Sequence, residues 1–328
     1  MPERRFDHVA ELEAAGLPPP DDTTLHLLWQ IVDEGVLGAS RHVALGNQLI
    51  LHLIGSTPDT DGGLHRARMA AGFIARTRGQ DTPVIGNTLK RLLAGLDDVP
   101  ANRQAGMLGE RVRLWDRASD ARKTRLIDSA VRHLSGTGHI MTFDYSSTVA
   151  AIALALAKAN PSLVFVVPES RTIAGGIRYL EEFLAAGLTV RFIPDAAIDY
   201  ALDTCDVALF GVETLMADGS FLNTIGSRMI ARLASLSRVA VYGCTDFMKL
   251  DLRSYEGHRP ALPDRSYDDV LLTGDGISAR GSVDTSAPEL EIVPAALTTA
   301  ILSEYGPIPP TAVWSLGRSV FGLGELVE

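Results

Sequence analysis

The sequence predicts an α/β fold: a helical N-terminal part followed by an open, doubly wound parallel sheet with helices on both faces. Three observations lead there. Apolar residues recur at three- and four-residue intervals through the first part of the chain, the period of a helix with one buried face. After Ser135-Gly-Thr-Gly138 the texture changes to apolar runs of four to six residues alternating with helical stretches. The 328 residues, 46% of them hydrophobic, exceed what one core accommodates, so two domains are expected, a helical one over 1–130 and the sheet over 131–328.

Taken in order, Pro18 to Pro20 with Asp21-Asp22-Thr23 supply a break and a helix start, and Leu25, Leu28, Trp29 and Val32 give the first apolar stripe. Val43, Leu45, Leu49 and Leu53 give the second, ended by the polar loop Ser56 to Gly63. Further helices are expected over Leu64–Thr77, Val84–Leu96 and Ala118–Leu134, making about five before any strand. The expected strands are His139–Phe143, Leu163–Val167, Leu188–Ile193, Val207–Phe210 and Val239–Gly243, rich in Val, Leu, Ile and Phe. Helices are expected between them over Ser147–Ala159, Gly176–Ala186, Ala196–Leu202 and Leu222–Leu236. Right-handed crossovers then favour a parallel sheet.

Composition excludes several classes of function. Forty acidic against thirty basic residues leave a net charge of −10, which opposes a sequence-independent grip on nucleic acid. The two cysteines, Cys205 and Cys244, form no Cys/His cluster, so neither a disulfide framework nor a metal site is expected. No window reaches the roughly eighteen uninterrupted apolar residues of a membrane span. The first thirty residues carry charges and three prolines where an export signal has an apolar run, and the expectation is a soluble cytoplasmic protein. No GxGxxG or GxxxxGK[ST] pattern follows the first strand, so no dinucleotide or nucleotide-hydrolysis cofactor is expected.

In sheets of this kind ligands bind beyond the carboxyl ends of the strands. The segments there are Asp144-Tyr-Ser-Ser147, Pro168-Glu-Ser-Arg171, Pro194-Asp195, Gly211-Val-Glu-Thr214 and Cys244-Thr-Asp246. Asp144 and Glu213 could act as a general acid and base if burial separates their pKa values; alternatively Asp144 caps the next helix and Glu213 orients backbone. Arg171 could clamp an anion, or pair with Glu169 or a subunit partner. Ser146 and Ser147, at a helix start, offer hydroxyls and amides to a phosphate. His26, His42 and His52 read as packing or surface residues, and Cys244 as a small buried hydrophobe.

Four stretches together resemble a known family: Ile140 to Thr148, Pro168 to Arg171, Gly211 to Gly226, and Glu291-Ile-Val-Pro294 continuing through Ile301 to Pro310. The family unites the regulatory subunits of translation initiation factor 2B with methylthioribose-1-phosphate isomerase and ribose-1,5-bisphosphate isomerase. The likeness covers about residues 130–315. It implies a helical N-terminal domain, a Rossmann-like C-terminal domain, a homodimer formed largely through the latter, and a small phosphorylated metabolite in the cleft between domains.

In the isomerases a cysteine and an aspartate interconvert aldose and ketose phosphates. The resemblance places Asp144 at the cysteine position and Glu213 at the aspartate position. It places Leu37, before Gly38-Ala39, where an arginine is expected, with Arg41 one turn further on. Thr224, beside the retained Asn223, stands at a lysine position. Losing two cations removes charge-assisted hydrogen bonds worth roughly 1.5–3 kcal/mol each. The resulting expectation is an initiation factor 2B-like protein that binds a phosphorylated sugar or nucleotide and has diverged from the isomerases. The alternative is an aldose–ketose phosphate isomerase, or a recruited biosynthetic enzyme, using Asp144 and Glu213 as an acid/base pair.

Overall fold

The computed structural model describes residues 20–33, 38–57, 62–272 and 283–322, together with Ala10 and Glu13. Leu37 lies outside the described residues. The chain divides into two compact units, Met1–Ala121 and Arg122–Glu328.

The first unit is helical: α1 (Asp22–Val32), α2 (Ala39–Gly55), α3 (Gly62–Arg76), α4 (Pro83–Leu93) and the first part of α5 (Ala101–His133). Asp21 caps α1, its side chain accepting the Thr24 N–H, and Pro83 occupies the first helical position of α4. The apolar stripes meet in one core that includes Leu28, Ile31, Leu49, Ile50, Phe73, Ile74, Leu89 and Leu108. Helix α5 begins well before the expected Ala118. Its sequence is so polar along much of its length that the apolar period is faint there.

The second unit is built on a seven-stranded sheet. Its strands are β1 (His139–Phe143), β2 (Val164–Pro168), β3 (Thr189–Ile193), β4 (Val207–Gly211), β7 (Ala240–Cys244), β11 (Ala300–Ser303) and β12 (Gly306–Ile308), ordered β12-β11-β7-β4-β1-β2-β3. All pairs are parallel except β11 with β12. Between them run α6 (Ser147–Ala159), α7 (Gly175–Ala185), α8 (Ile198–Leu202) and α9 (Ser227–Leu236). A second sheet, β10 (Leu290–Val293), β6 (Phe221–Thr224) and β5 (Thr214–Leu215), is antiparallel. A two-stranded ribbon of β8 (Asp264–Arg265) with β9 (Ala287–Pro288), the short α10 (Asp268–Leu271) and α11 (Val313–Phe321) complete the described elements.

Successive residues of the central strands alternate between two cores. Met141, Val166, Ala208 and Phe210 belong to one, while Ile140, Phe165, Val167, Val207 and Leu209 belong to the other. The sheet is therefore covered on both faces, which is why its strands read as continuous apolar runs rather than alternating ones.

The segment from Leu222 corrects the expectation of a helix over Leu222–Leu236. Residues 221–224 pair antiparallel with β10, and the helix begins only at Ser227. Gly226 makes the switch: its φ of 105° belongs to glycine, and a Cβ there would come 2.7 Å from the Phe143 ring.

Candidate functional site

The parallel strands run in the order 3-2-1-4-7-11, so the winding direction reverses between β1 and β4. In open sheets of this kind the carboxyl ends of the two strands at such a switch point are where ligands bind. Asp144 leaves β1 and Glu213 leaves β4, so topology alone brings the two carboxylates to one place.

Asp144 takes the left-handed conformation, φ 55°, uncommon for a residue with a side chain. Thr224, at the end of β6, donates its hydroxyl to Oδ2 of Asp144. Gly175 approaches from the other side, where a Cβ would collide with Oδ1. Part of the residue touches solvent, yet its carboxyl is enclosed. Burial, with the Glu213 and Glu289 charges adding to it, raises the pKa to about 6 against the opposing bonds from Thr224 and the Tyr145 amide.

Glu213 is fixed through its backbone, its N–H donating to the Leu222 carbonyl at 2.9 Å. Lys249, in the loop after β7, donates to the Val212 carbonyl at 2.6 Å, and its ammonium lies 3.9 Å from the Glu213 carboxylate.

Ser146 caps α6: its hydroxyl accepts the Val149 N–H, and its own N–H donates to the Tyr179 hydroxyl at 3.0 Å. A Cβ on Gly211 would come 2.5 Å from that of Ser146, so the helix start seats directly on the end of β4. Ser147 is exposed on the first turn. The loop after β2 is held differently. The amides of Ser170 and Arg171 both donate to the Asp195 carboxylate, each at 2.9 Å. The Arg171 side chain is exposed.

Asn223 and Thr224 are consecutive in β6, and both are buried. The Asn223 side-chain amide donates to the Ser227 hydroxyl at 2.9 Å, and that hydroxyl donates to the Thr224 carbonyl at 2.7 Å. The N-terminus of α9 is occupied from within, because Glu291 of β10 accepts the amides of Gly226 and Arg228 at 2.7 and 2.9 Å. Gly38, with φ 106°, Ala39 and the exposed Arg41 form the start of α2 in the first unit.

The structure thus gathers Asp144, Thr224 and Glu213, with Ser146, at one strand end. Sequence reasoning missed Lys249, Glu291 and Gly175. Glu291 stands inside a motif quoted above, and Lys249 follows the strand-end segment Cys244-Thr-Asp246, but only tertiary packing shows what each touches. Cys244 is wholly enclosed; burial pushes its thiol up to about 12, which leaves no thiolate for nucleophilic attack. His52 bonds Asp21 at 2.8 Å, His26 stacks near Trp29 and His42 is buried. Among the described residues no three of His, Cys, Asp and Glu converge as a metal cage, and no helix is long and apolar enough to cross a membrane.

Comparison with known proteins agrees with this architecture. The chain is 26% identical over 264 residues to ribose 1,5-bisphosphate isomerase of Haloterrigena turkmenica, covering 78% of this chain and 80% of that one. It is 30% identical over 139 residues to the enzyme of the same name from Methanocaldococcus jannaschii, 42% of this chain and 43% of the relative's length. Two solved structures from Pyrococcus horikoshii share the fold. The translation initiation factor eIF-2B has a TM-score of 0.71 at 18% identity, covering 89% of this chain and 98% of that one. The 5-methylthioribose 1-phosphate isomerase has a TM-score of 0.72 at 20% identity, covering 90% and 88%. The model of the initiation factor 2 subunit family matches residues 70–310, and this chain belongs to that family.

Proposed function

We propose that this protein binds a small phosphorylated sugar or nucleotide at the crevice between the ends of β1 and β4, and that it has diverged from the isomerases named among its relatives. One observation carries the reading. Where the resemblance places a thiol and a lysine, Asp144 and Thr224 stand hydrogen-bonded to each other, so the chain has exchanged a nucleophile and a cation for a neutral donor and a protonatable carboxyl. The α6 start, with Ser146 and Ser147, and the exposed Arg171 are the groups offered to a phosphate; Asn223 lines the β6 side. Gly38, Ala39 and Arg41, at the start of α2, are proposed as ligand-binding residues of the first unit.

A second reading is favoured by the Asp144 pKa of about 6, raised in part by Glu213. A carboxyl that keeps its proton toward neutral pH beside a second carboxylate is the equipment of an acid/base enzyme, so a recruited enzyme could use Asp144 and Glu213 as its acid/base pair.

A thermal-shift panel of phosphorylated metabolites tests the first reading. A ligand at a hundred times its Kd adds about 2.7 kcal/mol of stability and raises Tm by several degrees. No shift from any phosphometabolite sinks it. Methylthioribose 1-phosphate and ribose 1,5-bisphosphate are expected to turn over far below the roughly 1–1000 per second typical of enzymes. If a reaction is found with another substrate, Asp144→Asn and Glu213→Gln should each abolish it while leaving ligand binding measurable.

A further inference from the structure

Glu304 is a buried carboxylate with no place in the site described above. It follows β11 and is 7% exposed. Both its oxygens face the backbone N–H of Phe247, at 3.3 and 3.2 Å. Phe247 opens a single 3-10 turn, Phe247–Lys249, whose next amide, that of Met248, donates to Asp246 Oδ1 at 3.0 Å. The turn ends at Lys249, which grips the Val212 carbonyl at 2.6 Å and stands 3.9 Å from the Glu213 carboxylate. Glu304 therefore holds one end of a three-residue turn, and the other end holds both the backbone and the charge beside Glu213. The Phe247 ring is fully buried and meets the Tyr305 ring edge-on at 5.5 Å, so the turn is clamped to the β11 end by packing as well.

We propose that Glu304 is a positioning residue for Glu213, acting through the Phe247–Lys249 turn, so that the proton affinity of Glu213 follows the ionisation of Glu304. The inference rests on reading Asp144 and Glu213 as the working pair. The charged groups around Glu304 are Asp246 of the same loop, Arg122 from α5, which lies 3.8 Å from Asp246, and the neighbouring Tyr305, which Arg125 also faces. Burial and then Asp246 raise the Glu304 pKa to about 7, against Arg122 and the amide bonds. Its charge thus changes across the neutral range.

Ionised Glu304 is a charge-assisted acceptor for Phe247 and fixes the turn; protonated, it accepts more weakly. The direction follows. As pH falls through about 7, the turn loosens, Lys249 holds Glu213 less firmly, and Glu213 binds its proton more tightly.

The test needs no ligand. Protein carrying Asp144→Asn, which removes the neighbouring carboxyl whose own pKa of about 6 would also move the Glu213 resonance, is labelled with carbon-13 in the Glu carboxyls and titrated by NMR from about pH 5 to about pH 9, with the Glu213 resonance identified by its loss in Glu213→Gln. It should inflect together with Glu304. Glu304→Gln should erase that inflection, and Lys249→Met should erase it while leaving the Glu304 step in place, which a direct charge effect between the two carboxylates would not do. In that background a Glu213 inflection that survives either substitution, or a Glu213 resonance that is silent while Glu304 and Lys249 are both present, overturns the proposal. Should Glu304→Gln fail to fold, the Lys249→Met arm decides alone. A failed metabolite screen would remove the function proposed above without changing these resonances.

Discussion

Asp144 bears two costs, a left-handed backbone at φ 55° and an enclosed carboxyl. Such strain costs on the order of 1–3 kcal/mol and persists only where the surroundings over-determine it, here Thr224 on one side and Gly175 on the other. The proton affinity has a measurable consequence. With a folded pKa of about 6 against 3.8 for an ordinary aspartate, the folded state keeps a proton that the unfolded chain has released. That stabilisation is complete below the lower value and is lost as pH rises through the higher one. The difference of about two units corresponds to about 3 kcal/mol. Urea unfolding at about pH 4.5 and about pH 7.5 should therefore show a larger fall for the unmodified protein than for Asp144→Asn. Glu304 contributes a fall of the same sign to both proteins, so the comparison isolates Asp144. Equal falls would show that the carboxyl is not held protonated.

At the scale of elements, α9 shows how a helix start can be claimed by the protein itself. Its first amides are the donors that a phosphate would use, and Glu291 already takes those of Gly226 and Arg228 while pairing with the Arg228 guanidinium at 3.1 Å. The start of α6, the one proposed above for a phosphate, is less occupied, since Ser146 caps only the Val149 amide. Glu291→Ala strands two amides of the α9 start and should cost about 2–3 kcal/mol, with Glu291→Gln costing about half of that. Denaturant midpoints give the cost, and faster hydrogen exchange at residues 226–228 should accompany it. A loss below about 0.5 kcal/mol would show that the cap is dispensable.

For the whole molecule, the prediction concerns assembly. The seven-stranded sheet ends at β3, and around that edge Phe192, Ile177, Leu184 and Tyr200 remain exposed. Exposed apolar residues at a sheet edge are the raw material of a protein interface. Size-exclusion chromatography with light scattering at micromolar concentration should give twice the chain mass of 35.1 kDa. A single species at the chain mass would remove the homodimer expected from the family resemblance.

The sequence by itself determined the order of the helices of the first unit and of the central strands as far as β4, because periodicity is local: a 3.6-residue stripe and a short apolar run each declare themselves within a few residues. The strands expected at His139–Phe143 and Val207–Phe210 lie within a residue of those observed. It also placed Asp144 and Glu213 at strand ends, since each follows an apolar run directly. What was illegible is what depends on partners far along the chain. The four residues of β6 are a strand only because β10 pairs with them, and without that pairing they read as the first turn of α9. The bond from Thr224 to Asp144 spans 80 positions, the cap from Glu291 to α9 about 65, and the grip of Glu304 on Phe247 spans 57. Contacts of that range are fixed by the strand order, and only the tertiary structure decided it, because sheet pairing is a matter of which surfaces bury each other rather than of any residue's own preference.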